Sequence, residues 1–258
     1  MTARRVHIIG IGAGSPEHLT QQAITALNEV DVFLVADKRA ATGELVALRK
    51  AICERFIAAS HPYRFVTVAD PARGEDASRD SAAYGAAVRD WHAARADTYA
   101  ETISALAPDA VVGFLVWGDP AFYDSTIRVV DSIGSRIDLS VNMIPGISAF
   151  QALAAAHGIV LHEIGAPVHI TTGRRLVAEW KPELGTVVVM LDGHLVCREL
   201  LAAEPELVIH WGAYVCMPQQ ELRSGPLADV IDEIVELRAG LREQYGWVMD
   251  VYALSVPA

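Results

Sequence analysis

Three short glycine-bearing segments hold the residue types that could grip a small polar ligand at close range. They are Gly10-Ile11-Gly12-Ala13-Gly14-Ser15-Pro16, Trp117-Gly118-Asp119-Pro120-Ala121-Phe122-Tyr123 and Pro145-Gly146-Ile147-Ser148-Ala149. Each follows a short apolar run and precedes a segment of helical period. In open α/β sheets ligands collect outside the carboxyl ends of strands, where turn N–H groups and helix N-termini point outward. Three such turns in one chain suggest one composite site. Gly12 and Gly14 would let a ligand approach the backbone closely. Ser15 before Pro16, and Asp119 before Pro120, read as helix caps followed by a first-turn proline, with ligand contact left open. Ser148 suits either a cap or a ligand donor. A Rossmann-type, NAD-dependent oxidoreductase is the competing reading, with Asp37 as its ribose acid, but Ser15 stands where G-x-G-x-x-G needs a glycine.

The elements that must position these turns are legible as alternating apolar runs and helical segments, the pattern of an α/β fold. Strands are expected near 6–10, 31–36, 63–69, 110–117 and 138–144, and again near 166–172, 185–191, 207–216 and 246–256. Helices are expected near 82–106, 147–157, 175–180, 194–203 and 226–240. The polar, aperiodic stretch 71–81 reads as a loop. The series changes around 135–145, so an N-terminal α/β domain over 1–140 and a C-terminal one over 141–258 are expected, each a sheet flanked by helices.

Composition narrows the partners. The 258 residues carry 21 basic and 32 acidic side chains, a net charge of −11, which would repel a phosphate backbone. No nucleic acid is therefore expected, and an anionic substrate needs a local cluster of arginines. No apolar segment reaches the ~18 residues of a membrane span. The three cysteines are far apart and form no C-x-x-C, so a cytoplasmic chain with reduced thiols is expected. His157, His162 and His169 with Glu163 match no metal-ligand spacing, so no metal is expected. No G-x-S-x-G elbow offers a serine nucleophile.

Taken together, the turns resemble those of the tetrapyrrole methylase family. IIGIGAGSPEHLT is similar to that family's V-G-x-G-P-G-D-x-x-L-L-T, WGDPAFYDST to its G-D-P turn, and IPGISAFQALAAAHGIVL to its P-G-[IVT]-S/T-[AS] segment. VVVMLDG resembles the family's methionine-bearing strand and WGAYVCMPQQELRSGPL its last strand and loop. Ala13 and Ser15 stand where many members have Pro and Asp, and Val189 replaces a common Tyr.

The resemblance implies a two-domain fold holding S-adenosylmethionine in the interdomain cleft. It implies cofactor contacts from Gly12, Ala13, Gly14, Trp117, Gly118, Asp119, Phe122, Ser148, Ala149, Met190 and Ala213. A homodimer acting on a tetrapyrrole (precorrin) follows from it too. Within the family, FLVWGDPAFYDSTIRV, HPYRF and YGAAVRDWHAARADTY are most similar to members that methylate carbon 1 of precorrin-5 and release acetate. A sibling methyltransferase acting at another ring carbon is the alternative. Methyl transfer from a sulfonium is mainly a matter of alignment. Loss of acetate asks for a base to position water, with Asp119 and Tyr123 as first candidates and Asp124 and Glu163 behind them. The substrate's carboxylates would be met by Arg64, Arg73, Arg79, Arg174 and Arg175.

Overall fold

The opening apolar run folds as β1 (Arg4–Gly10), in which every residue from Val6 onward is buried. Its alternation feeds two cores, as the period of two requires. The computed structural model describes residues 3–37, 43–69 and 81–257. After β1 come a 3-10 turn (Pro16–His18), α1 (Gln21–Leu27), β2 (Val32–Asp37), α2 (Gly43–Phe56), β3 (Arg64–Ala69), α3 (Ser81–Ser104), β4 (Val112–Val116), α4 (Thr126–Gly134) and β5 (Leu139–Ile144). They form a five-stranded sheet in the order β3-β2-β4-β1-β5, parallel throughout. Val6, Ile8, Phe114 and Val116 pack on one face against α3 and α4. Ile9, Phe33, Leu115 and Ile144 pack on the other against α1 and α2. Burial on both faces explains why these strands read as continuous apolar runs.

The second series comprises α5 (Ala149–His157), β6 (Val168–Thr172), α6 (Gly173–Glu179), a 3-10 turn (Pro182–Leu184), β7 (Thr186–Met190), a 3-10 helix (Val196–Leu200), β8 (Val208–Ala213), β9 (Glu221–Pro226), α7 (Leu227–Tyr245) and β10 (Asp250–Ser255). Its sheet has the order β6-β7-β10-β8-β9, with only β6 and β7 parallel. One face, with Val187, Val189, Trp211 and Tyr252, packs against α7. The other, with Val188, Val251 and Ala253, packs against α5.

The chain divides into two compact units. One holds the described residues up to Gly12 and from Pro16 to Ile147; the other holds Ala13–Ser15 and everything from Ser148. A division at 140/141 would cut β5, which pairs along β1 from Arg4↔Leu139 to Ile9↔Ile144.

Several local expectations are corrected. Ser15 and Pro16 open only a 3-10 turn. The cap of α1 is Thr20, whose Oγ1 accepts the N–H of Ala23 at 3.0 Å. Likewise no helix starts at Pro120: α4 begins at Thr126, whose N–H donates to Asp124 Oδ1 at 2.6 Å. The helix expected over 194–203 is the short 3-10 helix. Strand β9 was not expected. Its sequence, ELRSGP, carries two charges, a glycine and a proline, which only an edge strand tolerates.

Candidate functional site

The carboxyl ends of β4, β1 and β5 lie side by side, and the turns leaving them touch backbone to backbone. Gly12 and Gly118 exchange both hydrogen bonds, N–H to carbonyl, at 3.2 and 2.8 Å. A Cβ on Gly146 would stand 2.1 Å from the Gly118 carbonyl oxygen, and one on Gly10 2.6 Å from the Gly146 nitrogen. Gly12 adds a left-handed φ of 79°. The N–H groups of Gly12, Gly118 and Gly146 are thus spent inside the protein. These glycines supply clearance, not donors.

Asp119 ties the arrangement together. Its Oδ1 accepts the N–H of Ala121 at 2.8 Å, and its Oδ2 accepts the N–H of Gly146 at 2.9 Å. It is therefore a clasp between the turn after β4 and the turn after β5, not a helix cap. Trp117 and Phe122 are half-buried beside it. Tyr123 is 43% exposed and held at φ 53°, a conformation that costs a non-glycine residue about 1–3 kcal/mol and gathers at working sites.

The second unit brings together a different subset. Ala13, Ala149 and Met190 share one small apolar cluster with Leu153 and Val251. Gly14, at φ 150°, packs where a Cβ would meet the Val215 carbonyl at 2.5 Å. Ser148 is 1% exposed, and its N–H and hydroxyl both donate to Gln151 Oε1, at 2.9 and 2.8 Å. It serves as a cap. Ala213 is fully buried in the opposite core, with Trp211 and Tyr214, so its side chain does not join the cluster.

The turn after Met190 is braced from below. Asp192 accepts the N–H groups of His194 and Val196 and, at 2.5 Å, the Tyr252 hydroxyl. Arg238 donates to the Asp192 and Gly193 carbonyls and to Asp250 Oδ2 at 2.8 Å. Burial raises the pKa of Asp250, against which Arg238 works. Nothing in the sequence reading pointed to this network; its one signal is an Asp two residues beyond the end of the methionine strand.

The expected carboxylate grips fare differently. Arg73 and Arg79 lie outside the described residues. Arg64 is exposed and opens β3, where it aligns with Val32 at the amino end of a parallel sheet, the wrong end for the turns. Arg175 is already paired with Glu179, which also accepts from the Thr171 hydroxyl. Arg174 is exposed on the same helix. Glu163 sits in the exposed loop before β6, beside Thr186, whereas Met190 ends the parallel β7 at its other end. That separation removes Glu163 from the candidate bases.

Two arginines were overlooked. Arg49 of α2 and Arg95 of α3 line a cavity of about 140 Å³ at the carboxyl ends of β2 and β4, with Asp124 in the same wall. Arginines inside long helices read as solvated, so one-dimensional reasoning passes them over. No helix among the described residues is long and apolar enough to cross a membrane.

The family model for Tetrapyrrole (Corrin/Porphyrin) Methylases matches residues 5–231. A relative from Sinorhizobium sp, precorrin-6A synthase (deacetylating), is 42% identical over 254 residues, spanning 97% of this chain and 95% of that protein. The crystal structure of a cobalamin synthesis related protein from Corynebacterium diphtheriae is 36% identical, covers 99% of both chains and superposes with a TM-score of 0.83. A uroporphyrin-III C-methyl transferase from Thermus thermophilus, solved in complex with S-adenosyl homocysteine, shares the fold at 20% identity, with a TM-score of 0.59 over 97% of this chain and 92% of that one. The chain belongs to the tetrapyrrole (corrin/porphyrin) methylase family.

Proposed function

We propose that this chain transfers the methyl group of S-adenosylmethionine to carbon 1 of precorrin-5 and releases the ring's acetyl group as acetate, giving precorrin-6A. The observation that carries this reading is the 42% identity to the Sinorhizobium enzyme across nearly the full length of both proteins.

S-adenosylmethionine supplies an electrophilic methyl on a sulfonium, so the protein's task is alignment rather than activation. The residues fit such a group. In the second unit Ala149 and Met190, half-buried beside a small apolar cluster, offer a pliable surface for an adenine. Asp119 acts as a positioning residue, because both of its oxygens are engaged by backbone donors.

Release of acetate needs water to add to the acetyl carbonyl. The carbon–carbon electron pair then returns to the conjugated ring, and the water's protons leave with acetate and a base. Tyr123, exposed and held in a strained conformation, is the residue assigned to orient that water. The same reading places the enzyme in the cytoplasm as a homodimer, supported by three free thiols and by the family likeness.

Incubation with precorrin-5 and S-adenosylmethionine, read by mass, is the test. Gain of one methyl with loss of one acetyl is expected. Methyl gain without acetate would assign a sibling reaction, and calorimetric binding of NAD instead of S-adenosylhomocysteine would overturn the reading. Light scattering decides the dimer.

A further inference from the structure

Four described residues of the second unit other than glycine are held at a left-handed φ: Leu191 at 54°, Leu195 at 52°, Tyr214 at 47° and Cys216 at 63°. Such a backbone is strained for a residue with a side chain, and only the surrounding structure holds it there. In three of the four the side chain is itself an anchor. Leu195 and Tyr214 are buried in the core against α7, and Cys216 packs on the smaller cluster that contains Val188 and Val251. Leu191 differs. It belongs to neither cluster and is 68% exposed, so an apolar side chain is presented to solvent on a backbone that a glycine would adopt freely. The turn does hold a glycine, but at 193.

The strain is imposed from beneath. Leu191 directly follows Met190, the last residue of β7, and precedes the buried Asp192. The Asp192 carboxylate accepts the N–H groups of His194 at 2.9 Å and Val196 at 2.8 Å, and the Tyr252 hydroxyl at 2.5 Å. Arg238 donates to the Asp192 carbonyl at 3.2 Å and to that of Gly193 at 2.9 Å. On the side of α6 the fit is close: a Cβ on Gly173 would stand 2.5 Å from Asp192 Cγ. Contacts from α6, α7 and β10 thus fix the residue after Leu191. They leave Leu191 exposed at the carboxyl ends of β6 and β7, where Thr172 aligns with Met190.

We propose that Leu191 is a substrate-binding residue whose side chain packs against the conjugated ring of the tetrapyrrole. The assignment rests on the function proposed above, in which Ala149 and Met190 take the cofactor's adenine. Both of those residues pack against the cluster that contains Val188 and Val251, and Leu191 does not, so a cofactor seated on the cluster leaves Leu191 to the second and larger substrate. A ring with wide apolar faces suits a lone exposed leucine, since covering it removes apolar surface from water and asks for no hydrogen bond. A contact of this kind acts on binding and not on the reacting atoms.

Full-length Leu191→Gly, Leu191→Asn and Leu191→Met variants are assayed with precorrin-5, with S-adenosylhomocysteine affinity read by calorimetry and stability by urea denaturation. Gly and Asn both tolerate a left-handed φ, so these two variants should be no less stable than the parent. Each should nonetheless raise KM for the macrocycle about tenfold, the lower end of what burying one leucine side chain is worth, with kcat and S-adenosylhomocysteine affinity within about twofold of the parent. Leu191→Met keeps an apolar side chain of similar volume and should restore KM to within about threefold. A merely structural role would move stability and leave KM in place. An unmoved KM in Leu191→Gly overturns the proposal. Loss of S-adenosylhomocysteine affinity in step with KM also overturns it, in favour of the cofactor; a changed mass in light scattering with KM unmoved does so in favour of a second copy of the chain. Should precorrin-5 not be methylated at all, the proposed function fails separately, and Leu191 is then tested on uroporphyrin III, whose absorption band reports binding without turnover. Its dissociation constant should rise about tenfold in Leu191→Gly. Equal affinity in both chains, or none in the parent, overturns the contact.

Discussion

Replacing Asp119 separates a clasp from a base. Its carboxylate accepts two backbone hydrogen bonds, at 2.8 Å from Ala121 and 2.9 Å from Gly146. Bonds to a charged acceptor contribute about 1.5–3 kcal/mol each, and for a half-buried group the lower end applies. Asp119→Ala should therefore cost about 3 kcal/mol. At about 2–4 °C per kcal/mol for a chain of this size, the melting temperature falls by about 6–12 °C. Asp119→Asn keeps one acceptor oxygen but sets an amide N–H against a backbone N–H, so its loss should be about half or more of that. Urea denaturation followed by circular dichroism measures both. Because the clasp joins the turns after β4 and β5, both variants should lower S-adenosylhomocysteine affinity and reduce methyl gain and acetate release by one common factor. If Asp119→Asn abolished acetate release while cofactor binding, methyl gain and stability stayed intact, Asp119 would be the base and the clasp argument would be wrong.

Removal of Arg238 should destabilise the chain by about 3–5 kcal/mol, since it leaves buried Asp250 and the Asp192 and Gly193 carbonyls without their shared donor; the double variant with Asp250→Asn should lose less than the sum of the singles in urea titrations. Burial, reinforced by neighbouring carboxylates, pushes the thiols of Cys53 and Cys197 up to about 12, so a disulfide reagent at pH 8 should leave both intact in the native chain and modify at most Cys216, whereas all three react in denaturant. Desolvation and the facing His157 lower the pKa of His210 below its unfolded value. The unfolded chain therefore binds the proton first, and His210 contributes stability above the ordinary histidine pKa that is lost as pH falls through its folded one. His210→Gln should flatten the decline of urea stability between neutral pH and pH 5; an unchanged slope refutes that assignment.

How much of this was legible in the sequence differs by element. The strands of the first sheet were, because Val6, Ile8 and Ile9, or Phe114 and Leu115, fill cores on opposite faces and leave an uninterrupted apolar run. The edge strand β9 was not, because an edge needs no apolar run and tolerates Gly225 and Pro226. Helix starts were misplaced where Ser-Pro and Asp-Pro satisfy the rule for a cap but another residue performs the work. Thr20 and Asp124 make the bonds that Ser15 and Asp119 were expected to make. Arg64 was misread for a different reason. Residue type and neighbouring motif give no indication of which end of a parallel strand a side chain occupies, and register alone decides it.

The glycine turns were readable because the constraint on them is steric and local to the backbone. A Cβ 2.1 Å from a carbonyl oxygen cannot be relieved by any side-chain rotation, so the residue type at Gly146 follows from the fold itself. The pair Arg49 and Arg95 obeys no such rule. They sit on different helices, α2 and α3, and both line the cavity beyond the point where β2 parts from β4 after two paired residues. The turns are thus dictated by backbone clearance, whereas side chains such as Arg49 and Arg95 meet only through the topology of the sheet, which sequence patterns do not mark.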